Sequence, residues 1–447
     1  MAFSRFFGRG RDAAPSTPEP ATSDADSRDE PTDEESADAD DDAPESAASR
    51  SWRQRAESAL PTGASTGSKR AVALWGDAAP DDMPTHFVSA RGCHVVDVDG
   101  NRYVDCTMAL GAVALGYGEP RVTRAVQDAA AEGNVSALSS WREVELAERL
   151  ATVIPCAERV QLLKTGAEAT AAAVRLARTY TGRDRVLASG YFGWHDWSAD
   201  AMGVPRAIRA ETQRVPFDDL DALEQAVSDA GPRLAAIVIE PVVERLPASA
   251  WLSRARELCD GSGAVLVFDE IKTGFRVAPG GYQETCGITP DLATFGKAMA
   301  NGFPLAAVVG HAAIMDAARR TWISSTLASE STALAAALAV LDWHEEADIC
   351  ATLADTGREL RASLDRAIAA SGIRGVTTAG VDTMMLLRWD DPTRESRFLQ
   401  EGARAGVLFK RGAYNFAAVA HDDAALQEIE AAASGAFVAL AESERAP

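Results

Sequence analysis

The spacing of apolar and polar positions changes character several times along the 447-residue chain. Residues 1–50 contain almost no aliphatic side chain after Phe7 and are rich in Asp, Glu, Ser, Pro and Ala. Such a segment cannot bury enough surface to offset the entropy of ordering, so it is expected to be a disordered acidic tail. The stretch CHVVDVDGNRYVDC (93–106) alternates around Asp99-Gly100, which predicts a β-hairpin. A helical period dominates from about 118 to 153. Short apolar runs then recur at 159–164, 185–190, 234–242, 264–271 and 305–310, separated by helical stretches that include 168–180, 219–230 and 251–261. Strands without polar alternation are covered on both faces, and their alternation with helices predicts an α/β fold built on a mostly parallel sheet. Beyond about 345 the order becomes helix, strands, helix, as in a smaller α+β domain. The domain boundaries expected from these shifts are 51–115 for an N-terminal segment contributing to the small domain, 116–345 for the large domain and 346–447 for the C-terminal small domain.

Composition narrows the possible functions. A net charge of −22 argues against binding nucleic acid through phosphate neutralisation. The tail carries 14 acidic and 5 basic residues, yet the remaining chain is acidic as well. Only five of the 44 basic residues are lysines: Lys69, Lys164, Lys272, Lys297 and Lys410. An acidic, lysine-poor, alanine-rich body fits a high-salt cytoplasm, where carboxylate repulsion is screened, and equally a GC-rich genome. No run of 18 apolar residues suggests a membrane span, and the start MAFSRFFGRGR lacks a signal-peptide core. Six scattered cysteines without a CxxC pair read as reduced thiols of a cytoplasmic protein, and the scattered histidines support no metal site.

Four segments carry chemistry. In LLKTGAEATAAAVRLARTYTGR a strand ends at Lys164, Thr165-Gly166 turns, and a helix begins, which creates an anion site from free N–H groups and the helix dipole. ASGYFGWHDWSAD (188–200) gathers Tyr191, Phe192, Trp194 and Trp197 in one loop. VLVFDEIKTGFR (265–276) ends an apolar strand with Asp269 and Glu270; residues two apart share a face, so Val267, Asp269 and Ile271 point one way and Glu270 the other. PDLATFGKAMANGFPLAAVVG (290–310) sets Lys297 between Gly296 and Gly302, 28 residues after Asp269. Each alone has a plainer reading: a strand–turn–helix join, core aromatics, a carboxylate paired with Arg276, a solvated lysine. Together they supply what pyridoxal phosphate requires: a phosphate cradle, a ring stack, a partner for the pyridine nitrogen and an imine-forming lysine.

From about residue 75 onward the chain resembles the class III pyridoxal-phosphate-dependent aminotransferases of fold type I, and within them the glutamate-1-semialdehyde 2,1-aminomutase-like branch. The stretch FDEIKTGFRVAPGGYQETCGITPDLATFGKAMANGFPLAAVVG carries the resemblance, reinforced by KTGAEATAAAVRLARTYTGRD and GYFGWHDW. The resemblance implies a large domain with a mostly parallel seven-stranded sheet plus a smaller α+β domain. It implies pyridoxal 5′-phosphate as cofactor, with Lys297 forming the imine and shuttling the proton. Asp269 would pair with the pyridinium nitrogen, Ile271 and Tyr191 would flank the ring, and Thr165, Gly166 and Ala167 would cradle the phosphate. Glu240, in IVIEPV, matches the family's active-site glutamate. Thr326 matches a threonine that reaches the phosphate of the neighbouring subunit, which implies a homodimer with shared sites.

Several positions depart from the aminomutase pattern. Ala167 replaces a hydroxyl residue, Phe192 stands where a histidine is usual, ASES (328–331) replaces SGNP, and Ala109-Leu110-Gly111 replaces the substrate-side Ser-Trp-Gly. These departures favour an aminotransferase that moves an amino group between an amino donor and a small aldehyde or keto acceptor. The aminomutase, which makes the transfer within one substrate, is the alternative reading; a non-catalytic binding protein on the same fold is a remote one. Arg276 and FKRGAYNF (409–416) are candidate contacts for a carboxylate or sugar-like group.

Overall fold

The computed structural model describes residues 47–445. The acidic tail lies outside the described residues except at its last positions. A helix, Ala47–Ala59, already begins there. Its first turn is held by the hairpin: the N–H groups of Ala48 and Ser49 donate to the Asp99 carboxylate at 3.0 and 3.2 Å. A charged acceptor at a helix N-terminus answers both the free donors and the dipole.

The predicted hairpin is present as β2 (His94–Asp97) and β3 (Arg102–Asp105), preceded by β1 (Phe87–Arg91). The helical stretch 118–153 resolves into two helices, Pro120–Glu132 and Trp141–Val153, each opened by a side-chain cap, from Glu119 and Ser140. The central sheet then comprises β4 (Arg159–Leu163), β5 (Arg185–Ser189), β6 (Thr212–Arg214), β7 (Leu234–Ile239), β8 (Val265–Asp269), β9 (Leu292–Phe295) and β10 (Ala306–Gly310), in the order β4-β10-β9-β8-β7-β5-β6. All its pairings are parallel except those of β10, which runs antiparallel to both neighbours. Every residue of β7 through β10 is buried. Successive residues nonetheless serve different cores. Ala236, Val238, Val265 and Val267 pack with the helix Gly166–Thr181, whereas Ile237, Ile239, Leu266 and Phe268 pack with Trp251, Leu146 and Leu150 on the other side. The period-2 geometry of a strand therefore assigns Asp269, next after Phe268, to the face of Val267.

The C-terminal part adds β11 (Val376–Val381), β12 (Met384–Trp389), β13 (Val407–Leu408) and β14 (Asn415–Phe416). β11, β12 and β14 form an antiparallel sheet, while β13 pairs in parallel with β3 and so completes the N-terminal sheet. A shared core of Trp75, Cys93 and Val104 with Phe398, Phe416 and Phe437 joins the two ends of the chain. The helix Asp423–Arg445 is long and apolar enough over Asp423–Glu444 to cross a membrane by length and composition, at a mean hydropathy of 1.2. Here its apolar stripe of Ile429, Ala433, Phe437 and Leu440 is buried in that core.

One backbone feature had no warning in the sequence. Met108, Ala109, Leu110 and Gly111 have φ of 42°, 51°, 60° and 81°, a complete left-handed turn of which three residues are not glycine. Cβ crowding makes this conformation cost roughly 1–2 kcal/mol for each such residue, so the surroundings must enforce it. Glycine is required at the fourth position, because a Cβ on Gly111 would meet the Phe416 ring at 2.6 Å.

Candidate active site

The carboxyl ends of β4, β5, β7 and β8 open onto a cavity of about 420 Å³. Its lining includes Thr165, Gly166, Ala167, Tyr191, Glu240, Asp269, Ile271 and Lys297, so eight of the nine site residues expected from sequence meet there. The ninth, Thr326, is exposed in the segment before the helix Ser331–Glu346 and does not line the cavity of its own chain.

Asp269 ends β8 on the cavity side. It accepts the Ile271 N–H at 3.0 Å and the Thr294 hydroxyl, from β9, at 3.1 Å. It is 4% exposed and has no ion-pair partner among the described residues. Burial, and next the Glu240 carboxylate, push its carboxyl up to about 7, against the pull of Ile271 N–H, Lys297 and Thr294. Glu270 turns away, as predicted, and accepts the N–H groups of Tyr282 and Gln283 at 2.8 and 2.9 Å and the Thr273 hydroxyl.

Lys297 follows β9 in a short turn, Lys297–Ala300, with φ of 48°. Burial draws its amine down to about 8; the nearby Lys272 ammonium acts in the same direction, and Asp269 and Glu240 oppose it. An amine that is partly unprotonated near neutrality is a competent nucleophile toward a carbonyl.

The helix Gly166–Thr181 begins at the cavity rim with a complete capping box. The Thr165 hydroxyl accepts the Glu168 N–H at 3.2 Å, and the Glu168 carboxylate accepts the Thr165 N–H at 2.8 Å. Helical geometry leaves the Gly166 and Ala167 N–H groups without an intrahelical acceptor. Close approach is built in: a Cβ on Gly166 would meet Ile271 at 2.6 Å, and one on Gly193 would meet Ala167 at 2.6 Å. The small Ala167 thus accommodates the aromatic loop. That loop divides its rings between core and cavity. Phe192 and Trp197 are buried, whereas Tyr191 and Trp194 are exposed at the cavity. The Tyr191 N–H donates to Glu240 Oε2 at 3.1 Å, and the other oxygen of Glu240 pairs with Lys272 at 2.7 Å. Lys272 also lies 4.2 Å over the Tyr414 ring.

Sequence reasoning missed Lys272, Lys164 and the cavity walls Ala112, Phe303 and Pro304. Lys164 is neutralised by Glu330 at 2.7 Å, a carboxylate that also caps the helix Ser331–Glu346. The scarcity of lysine was the one signal available: three of the chain's five line this cavity. Arg276 corrects the opposite way. A candidate substrate contact or a solvated loop arginine by sequence, it is fully buried and, among the described residues, donates only to backbone carbonyls.

Asp269 tests the fit to pyridoxal phosphate. A buried carboxylate without a cation is costly, and a protonated ring nitrogen is the counter-charge it lacks. A helix N-terminus with two free N–H groups suits a phosphate in the same cavity. These features, on a sheet whose single antiparallel strand sits second from one edge, define a fold type I pyridoxal-phosphate enzyme. The chain belongs to the class III aminotransferases, which it matches over residues 76–420. It is 36% identical over 303 residues to the 3-aminobutyryl-CoA aminotransferase of Cloacimonas acidaminovorans (strain Evry), covering 66% of this chain and 73% of the relative. It is 37% identical over 310 residues to the 2′-deamino-2′-hydroxyneamine transaminase of Streptomyces kanamyceticus, covering 68% and 79%. Among solved structures, the internal-aldimine form of the Sphingopyxis sp. MTA144 FumI protein superposes with a TM-score of 0.84 at 27% identity, covering 89% of this chain and 97% of that one. The protein is a pyridoxal-phosphate-dependent transaminase.

Proposed function

We propose that this transaminase moves an amino group between two separate molecules, an amino donor and a small aldehyde or ketone acceptor whose recognition does not depend on a carboxylate. The observation that carries the reading is the charge inventory of the cavity. Among the described residues, Lys164 and Lys272 are each held by a glutamate, Lys297 is the imine-forming amine, and no guanidinium lines the walls. An acceptor therefore meets neutral surfaces, Ala112, Phe303, Pro304, Tyr191 and Trp194, beside the polar Glu240–Lys272 pair. The names of two relatives support this, since one acts on a coenzyme A derivative and the other on a neamine derivative. Ala109-Leu110-Gly111 in the turn beside the cavity weighs against the aminomutase branch.

Bound pyridoxal phosphate supplies an electron sink that makes the proton on the amine-bearing carbon removable. Lys297 would take that proton and return it elsewhere; its lowered basicity suits both directions near neutrality. Asp269 would keep the ring nitrogen protonated. The Gly166 and Ala167 N–H groups would hold the phosphate, and Tyr191 and Ile271 would confine the ring. Glu240 holds the Tyr191 backbone and so the aromatic loop. Thr326, exposed together with Trp322 and Leu327, fits a homodimer in which it reaches the partner's phosphate. The unpaired cysteines suit a reducing cytoplasm.

The test is single-turnover amino transfer, followed by the visible absorbance of the cofactor, across donors and acceptors with and without carboxylates. Acceptors without a carboxylate should be preferred. Glutamate-1-semialdehyde supplied alone should not be converted efficiently to 5-aminolevulinate; efficient conversion without a second donor would overturn the reading in favour of the aminomutase.

A further inference from the structure

The left-handed turn Met108–Gly111 leads directly into Ala112 of the cavity wall; one side chain holds the end of the turn, and a second holds the segment that follows it. Arg276 is fully buried at the junction of three segments. Its Nη2 donates to the Gly111 and Val113 carbonyls at 3.2 and 3.4 Å, and its Nη1 to those of Ala417 and Thr383 at 2.7 and 3.4 Å. Its guanidinium lies 5.0 Å from the Phe416 ring, the same ring that packs against Gly111. No carboxylate pairs with it among the described residues, and its Nε has no partner. A buried cation satisfied by carbonyls alone is costly to retain, so its grip on these backbones is its evident use.

Asn301 supplies the second hold. It closes the turn that carries Lys297 and is itself left-handed, with φ of 43°. Its Oδ1 accepts the N–H groups of Ala114 and Leu115, both at 3.0 Å, and its Nδ2 donates to the Gly116 carbonyl at 3.0 Å. One amide thereby fastens the segment that follows the strained turn to the segment that bears the reactive lysine.

We propose that Arg276 and Asn301 are positioning residues: they lock the turn Met108–Gly111 and the adjoining wall residue Ala112 in fixed register with the Lys297 turn, and through that register set the affinity for the acceptor. The inference rests on the transaminase reading of the cavity but assigns new work to residues outside it. A strained turn is useful here because it has one conformation when held and many when released, so the wall is sharp only while both holds are in place.

Three variants of the cofactor-loaded protein test it. Asn301→Gly keeps the left-handed backbone while deleting the three side-chain bonds. Arg276→Met removes the grip on Gly111 and Val113. In both, the acceptor KM should rise about tenfold or more, with kcat and cofactor uptake changed no more than about threefold. Hydrogen exchange at 108–116 should accelerate. In the third, Arg276→Met combined with Ala109→Gly, a glycine that adopts the turn without strain should restore most of the lost acceptor affinity even where thermal stability stays low. An unchanged KM in Asn301→Gly, or a double variant that folds and takes up cofactor but shows no restoration, would overturn the proposal. If Arg276→Met does not fold, Asn301→Gly decides alone. Failure of the wild-type protein to transfer amino groups would instead sink the transaminase reading, and the exchange measurement would still report on the two holds.

Discussion

Asp269 and Glu270 are consecutive, both carboxylates, and both buried at the end of β8, yet they sit in opposite electrostatic situations. Glu270 faces the loop side and is answered by two backbone N–H groups and a hydroxyl from one local segment. Asp269 faces the cavity with one N–H and one hydroxyl, and a second carboxylate, Glu240, raises its affinity for a proton. The first is a solved burial problem and the second is left open toward a missing positive charge. Burial alone therefore does not mark a functional carboxylate; incomplete compensation facing a cavity does.

The largest effect expected from breaking this contrast is on Asp269→Asn. If Asp269 faces the ring nitrogen as proposed, kcat should fall by about 10²- to 10³-fold, the scale of losing one preorganised electrostatic contact. In the cofactor-free protein the same substitution should stabilise, in a pH-dependent way. A carboxyl raised from 3.8 to about 7 favours the folded state fully below pH 4 and loses that contribution as pH rises through 7. The melting temperature of Asp269→Asn relative to wild type should thus climb between pH 4 and pH 8, and binding of pyridoxal phosphate should erase the gain. A pH-independent difference in calorimetry would show that Asp269 is compensated as Glu270 is.

Glu270→Ala tests the other half. It strands two backbone N–H groups and the Thr273 hydroxyl in a dry interior, at roughly 1–3 kcal/mol for each unmet donor, partly offset by removing a buried charge. A net loss of about 3 kcal/mol in denaturant unfolding is expected, with kcat unchanged within about threefold at temperatures where the protein is folded. A large fall in kcat at full folding would make Glu270 part of the chemistry.

What was legible in the sequence follows the same division. The strands covered on both faces, β7, β8 and β10, are continuous apolar runs and could be read directly. β6 is three polar edge residues and left no such trace. Asp269, Lys297 and the start of the helix at Gly166 were legible because each lies where a strand pattern stops, so their side chains must gather at one sheet edge. Lys164–Glu330 and Lys272–Glu240 were not, because each pairing joins separate segments through tertiary packing. The turn Met108–Gly111 was invisible for a different reason: Met, Ala and Leu carry no preference for positive φ, and the bonds that enforce it come from Arg276 and from packing on Phe416. The buried place of Arg276 was not legible either, because nothing local distinguishes an exposed arginine from one whose acceptors are distant carbonyls.

Thr165 brings the contrast down to a single residue and the smallest expected effect. Its place at the proposed phosphate cradle invites a catalytic reading, yet its hydroxyl is occupied by the Glu168 N–H and lies 3.2 Å from the Glu168 carboxylate. That makes it a helix cap, in the manner of Glu270, while the Gly166 and Ala167 N–H groups remain free to bind an anion. Thr165→Ala should then cost about 1 kcal/mol of stability, the usual worth of such a cap, and Thr165→Ser should restore it. Affinity for pyridoxal phosphate, measured by fluorescence titration, should weaken by less than about fivefold, because the donors proposed to face the phosphate belong to the backbone. A much larger loss that serine repairs would mean that the hydroxyl leaves its cap when the phosphate arrives, and the division between scaffold and site would run through one side chain.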